Sequence, residues 1–118
     1  MPARLPSPAL DADAMASHAQ SASALLKALA HPARLRVLCR LVEGEASVGE
    51  LQAKSALSMS ALSQHLAVLR QAELVDTRRE AQTIFYRLLD SPALGVMQAL
   101  HAAYCVPVGK KTQRPRRR

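Results

Sequence analysis

Apolar residues recur along this chain in two rhythms, one helical and one extended. From residue 12 to about 72 they return every third or fourth position, and from 74 to 88 they alternate with polar ones. The first stretch, Ala12 to Ala30, ends in Leu25, Leu26 and Leu29 and predicts a helix that His31-Pro32 breaks. Pro32 suits the first turn of a second helix, striped by Leu35, Leu38, Cys39 and Val42 and stopped at Gly44. Arg34, Arg36 and Arg40 fall off that stripe and are expected to be solvated or near phosphates. Ser47 with Glu50 three residues on has the spacing of a capping box, and Val48 and Leu51 form the buried side of a short third helix. Residues 55 to 58 make a turn, and Ser58 is placed to cap a fourth helix over 59 to 72. Met59, Leu62, Leu66 and Leu69 are its apolar stripe, with Met59 and Met97 assigned to the core. Two strands follow at about 74 to 79 and 83 to 88, where Ile84, Tyr86 and Leu88 alternate with Phe85 and Arg87. Asp90-Ser91-Pro92 opens a last helix carrying Leu94, Met97, Leu100 and Tyr104, which runs out near Cys105-Val106-Pro107. The order is α-α-α-α-β-β-α, a mostly helical fold with one small β-hairpin.

The fourth helix carries a polar face that is small and rich in hydrogen-bonding groups. Ser60, Ser63, Gln64 and Gln71 lie opposite the apolar stripe, with Ala67 among them. Such a face can enter a major groove about 12 Å wide and meet base edges, and glutamine is well suited to adenine. The hairpin beside it carries Arg78 and Arg79, expected at its tip and in contact with phosphate or the minor groove. This pairing predicts a winged helix-turn-helix that binds double-stranded DNA. Its candidate contacts are Ser58, Ser60, Ser63, Gln64, His65, Arg70, Arg78 and Arg79. For His65, beside the stripe, a packing role competes with phosphate contact.

Charge and composition sharpen this picture. The net charge is +7, but Lys110, Lys111, Arg114, Arg116, Arg117 and Arg118 supply six of those charges, leaving +1 for residues 1 to 109. DNA affinity must therefore come from where individual arginines sit. Residues 1 to 11 hold three prolines and are expected to be a flexible leader, residues 12 to 106 the folded domain, and 107 to 118 a disordered basic tail. The tail either adds non-specific attraction to phosphate or serves only solubility. At 118 residues, with three aromatic side chains and no Trp, the chain supports one helical core built on Leu and Ala. No apolar run approaches the roughly 18 residues of a membrane span, and no secretory leader is evident, so the expected location is cytoplasmic. No nucleophile–base constellation and no C-x-x-C is present, which argues against an enzyme, a thiol oxidoreductase included. His18, His31 and His101 are scattered, and neither a metal site nor a cofactor is expected.

Over residues 21 to 106 the chain resembles the ArsR/SmtB family of bacterial winged-helix repressors. The resemblance rests on LLKALAHPARLRVLCRLVEGEASVGEL, SMSALSQHLAVLRQAELVDTRRE and IFYRL, in that order. It implies a homodimer paired through its first and last helices, with recognition helices reading successive major grooves of an inverted-repeat operator. Helix 59 to 72 would be the recognition helix and the hairpin around Glu80 the wing. Arsenic sensors of the family carry Cys-Val-Cys near the start of the third helix, whereas this chain has Ser47-Val48-Gly49. At the last-helix zinc site Asp90 is followed by Pro92, and only His101 remains, too few ligands for four-coordinate zinc. The two cysteines, Cys39 in the second helix and Cys105 near the end of the last, are laid out as in the BigR/SqrR-like branch. That likeness implies release from DNA by reactive sulfur or oxidation through a dithiol switch. The alternative is a metal- or arsenite-responsive repressor using Cys39, Cys105 and His101. A nearby cation such as Arg36 or Arg40 is what would make the Cys39 thiolate available.

Overall fold

Most helices begin where a side chain satisfies the amide groups that a first turn leaves open. The computed structural model describes residues 10–105. In it, Asp11 caps α1 (Ala12–Leu29), and His31 caps α2 (Pro32–Val42), which carries its proline in the first turn. Ser47 caps α3 (Val48–Ala53) in a complete capping box with Glu50, and Ser58 caps α4 (Met59–Gln71) through a bond from the Ala61 amide at 3.0 Å. The last helix, α5 (Ala93–Tyr104), follows Pro92 without a side-chain cap at that residue. Three strands complete the order: β1 (Ala46–Ser47), β2 (Val75–Glu80) and β3 (Thr83–Leu88).

The strands form one antiparallel sheet in the order β1-β3-β2. Strand β1 was absent from the sequence expectation, because two residues carry no readable period. It pairs Ala46 with Tyr86 and Ser47 with Phe85, so the start of α3 is fastened to the base of the hairpin. The core gathers where α2 crosses α4, with Leu38, Leu62 and Leu69 fully enclosed and Leu66, Leu74 and Val75 nearly so. Leu29 of α1, Leu51 of α3 and Met97 of α5 close it from the sides. Among the described residues no polar side chain is buried.

Two assignments of the apolar stripes are corrected. On α2 the buried residues are Val37, Leu38 and Leu41, while Cys39 is exposed and Val42 is 49% exposed. Arg34 sits at the head of that line, at the helical spacing 34, 37, 38, 41, and a charge there hides the stripe from a hydropathy reading. Its guanidinium is half-buried and turned back onto the chain. It donates to the carbonyls of Ala28 at 2.6 Å and Lys27 at 3.1 Å, closing the end of α1. On α4, Met59 is 42% exposed rather than core, since the first turn of that helix projects past the edge of the packed leucines.

Candidate nucleic-acid interface

Helix α4 stands on Leu62, Leu66 and Leu69 and turns its other side to solvent. Ser60, Ser63, Gln64, Ala67, Arg70 and Gln71 are all exposed. Ser60, Gln64, Ala67 and Gln71 follow one helical line, and Met59, Ser63, Ala67, Arg70 and Gln71 border the side that faces the hairpin. A groove separates α4 from the hairpin, floored by Leu66 and Tyr86 and walled by Ser63, Arg70, Gln82 and Thr83. Gln82 and Thr83, which the sequence reading did not single out, thus join the face. The sequence signal for them was only their place at the turn.

The two adjacent arginines of the hairpin do different things. They are not at its tip, which is Ala81-Gln82; Arg78 pairs across the strands with Phe85 and Arg79 with Ile84. Successive strand residues point to opposite faces, so the pair is split. Arg78 takes the outer face, where its Nε and one terminal nitrogen each donate to Glu45 at 2.8 Å and the other terminal nitrogen donates to Glu80 at 3.1 Å. Its guanidinium also lies 4.4 Å from the centre of the Phe85 ring. The bonds from Arg78 hold the Glu45 carboxyl below the usual carboxylate range, and the two carboxylates raise Arg78 in turn. Arg87 donates to Asp76 at 3.2 Å on the same face. Arg79 shares the face of Ile84 and Tyr86, both of which line the groove beside α4. None of the ion pairs among the described residues involves it.

His65 faces inward from α4. Its ring lies 4.3 Å from that of His31, and its Nδ1 is 3.3 Å from a terminal nitrogen of Arg34. Arginine only donates, so this nitrogen accepts and the ring is neutral. Burial lowers the His65 pKa from its ordinary 6.5, and repulsion from His31 in its protonated form and from the Arg34 guanidinium adds to the effect. His31 Nδ1 likewise accepts, from the Ala33 amide at 3.0 Å. His65 therefore joins α4 to the α1–α2 corner. Ser58, also among the expected contacts, spends its hydroxyl oxygen on the helix cap.

Both thiols are free and exposed. Cys39 opens into a groove between α2 and α3 with Arg36, Arg40 and Lys54 on its walls. Cys105 terminates α5, its amide donating to the His101 carbonyl at 2.7 Å. Among the described residues, no three or more His, Cys, Asp or Glu side chains are grouped to hold a metal ion. Nor is any helix among them long and apolar enough to cross a membrane. The outermost helices expose apolar surface: Met15 and Leu26 on α1 are 51% and 52% exposed, and Tyr104 on α5 is 81% exposed.

A capped helix with a small polar face, set beside a basic hairpin on a helical core, defines a winged helix-turn-helix regulator of transcription. Residues 31–77 match the family described as bacterial regulatory protein, arsR family. The chain is 53% identical over 94 residues to the biofilm growth-associated repressor of Agrobacterium fabrum, covering 80% of each. It is 50% identical over 91 residues to the transcriptional activator HlyU of Vibrio cholerae, covering 77% of this chain and 84% of the relative. Among solved structures, the transcriptional repressor BigR from Xylella fastidiosa superposes with a TM-score of 0.77 at 42% identity, covering 83% of this chain and 100% of that one. Reduced HlyU from Vibrio cholerae does so with a TM-score of 0.72 at 49% identity, covering 77% and 96%. The chain belongs to the arsR family, whose members are DNA-binding transcriptional regulators and not enzymes.

Proposed function

We propose that this chain is a cytoplasmic, homodimeric repressor that binds an inverted-repeat operator and leaves it when reactive sulfur or an oxidant bridges Cys39 and Cys105. The reading of DNA falls to Ser60, Ser63, Gln64 and Arg70 on α4, with Arg79 on the wing; Ser58, His65 and Arg78 support them from behind. The observation that carries the switch is the placement of the two thiols. Both are exposed, one on the helix that packs against α4 and the other at the end of α5, beyond its exposed Leu100 and Tyr104. A bond between them would tie the dimerising helix to the helix beneath the reader. It would thereby bias the separation of two recognition helices, which must match a DNA turn of about 34–36 Å.

The chemistry balances without an external oxidant when the inducer is a persulfide, R–S–SH. The Cys39 thiolate attacks the outer sulfur, the S–S bond breaks, and R–S⁻ departs with the electron pair and is protonated. The Cys105 thiolate then attacks Cys39 Sγ, expelling HS⁻ and leaving a disulfide. If a second R–S–SH has lengthened the chain first, the same expulsion leaves a bridge with one more sulfur, about 32 Da heavier than the disulfide. Repression is the sign favoured over activation because the biofilm repressors of Agrobacterium and Xylella and the BigR structure all bear it in their names. The test is an electrophoretic shift on operator DNA with glutathione persulfide. The wild-type protein should be released, with affinity falling about 5- to 150-fold, whereas Cys39→Ser and Cys105→Ser should bind as tightly and stay bound. Release of the double Ser variant by the persulfide would exclude the thiol switch.

A further inference from the structure

The groove beside Cys39 has a chemistry that the switch itself does not require. It runs between α2 and α3, encloses about 630 Å³, and has an apolar floor of Leu35, Leu51 and Leu57. Three cations, Arg36, Arg40 and Lys54, stand against one acid, Glu43. The two guanidinium groups are held by neutral acceptors: Arg36 donates to the Lys54 carbonyl at 3.3 Å and Arg40 to the Gly44 carbonyl at 3.1 Å. Carbonyls fix their positions without cancelling their charge. Every ion pair among the described residues involves an arginine of the hairpin, so none joins a cation of this groove directly. Besides the bonds from Ser47, Arg40 is near enough to Glu50 to help lower that carboxyl, and Arg36 and Lys54 are in no such pair. A concave wall of one sign raises the local concentration of ions of the other sign.

We propose that this groove is a binding subsite for a small carboxylate-bearing persulfide, whose carboxylates the three cations hold while its outer sulfur meets the Cys39 thiol. The inference rests on Cys39 being the sensing thiol and adds what selects the inducer. Anionic donors react preferentially, and uncharged oxidants of the same intrinsic reactivity gain nothing from the groove. In the transfer step the cations also stabilise the departing R–S⁻, which keeps its carboxylates bound until it is protonated.

The test uses the full-length Cys105→Ser protein, so that Cys39 is the one thiol, and two alkylating agents that differ in charge. Alkylation is followed by mass spectrometry with iodoacetate and with iodoacetamide, taking 2-mercaptoethanol as the uncharged reference thiol. The iodoacetate-to-iodoacetamide rate ratio for Cys39 should exceed the reference by about 10-fold, and should collapse towards it in roughly 0.5 M salt. Replacing the three cations together, R36Q with R40Q and K54Q, should abolish the excess. S-methylglutathione, an unreactive anionic mimic, should slow the iodoacetamide reaction of the protein with its cations intact, a readout that needs no folded triple variant. A ratio equal to the reference, or no protection by the mimic, overturns the subsite. Charge selectivity with a persulfide that leaves the wild-type protein on DNA would instead remove the sensing role of Cys39 and leave the subsite standing.

Discussion

Arg78 and Arg79 are chemically identical and adjacent, yet their surroundings assign them different work. Arg78 is held by two carboxylates and an aromatic ring, so its charge is spent on bracing the wing against the loop that carries Glu45. Arg79 has no carboxylate partner among the described ion pairs and shares its face with groove-lining residues. Each phosphate contact contributes about one unit to the dependence of log affinity on log salt. Arg79→Ala should therefore weaken binding to specific and random DNA alike and flatten the salt slope by about one, measured by fluorescence anisotropy across a salt series. Arg78→Ala should change the slope less, because it removes a cation that is already neutralised. The opposite ranking would mean that Glu45 releases Arg78 when DNA arrives.

At the scale of elements, the corner formed by α1, α2 and α4 should lose stability in acid. The His65 pKa lies below its ordinary 6.5, chiefly through burial, with His31 and Arg34 facing it across the corner. The unfolded chain therefore takes up its proton first as pH falls. The stability that neutral His65 confers is complete above about 6.5 and declines as pH drops through the lower folded value. His65→Gln, which cannot charge, should lose less melting temperature than the wild type between pH 7 and pH 5, by calorimetry. An equal loss in both would place the acid sensitivity elsewhere.

The same corner shows what could be read from the chain before any coordinates. The helices, their Ser47 and Ser58 caps and the hairpin strands were legible because periodicity and capping are local signals. The rotation of α2 was not, since Arg34 occupies the leading position of its buried line and the apolar Cys39 and Val42 imitate a stripe on the wrong side. Strand β1 was too short to have a pattern. The Glu45–Arg78 pair joins residues 33 positions apart, which no spacing rule reaches. On α4 the polar face was legible residue by residue, but the inward turn of His65 depends on a ring contributed by another helix. The candidate contacts Gln82 and Thr83 become recognisable only when the wing is folded against α4.

At the scale of the whole molecule, several large apolar side chains of the described residues are exposed on the first and last helices. Met15, Leu26, Leu100 and Tyr104 lie on α1 and α5, the helices whose pairing the proposed dimer requires. Apolar patches of this kind mark surfaces that another protein covers. Introducing charge with Leu100→Glu and Tyr104→Glu should leave the helical content of the monomer intact, while sedimentation reports half the mass. Operator affinity should then fall by at least about 100-fold, since two half-sites are no longer engaged together. A variant that remains dimeric would show that α5 is not the pairing surface.

Arg34 gives that assembly a mechanical property. One guanidinium grips the terminal carbonyls of α1 and at the same time touches the His65 ring on α4. The helix that would meet the other subunit and the helix that would meet the operator thus share a single rigid knuckle. A displacement of either helix should therefore be felt at the other through Arg34 as well as through the close-packed leucine core that Leu29 shares with Leu62 and Leu66.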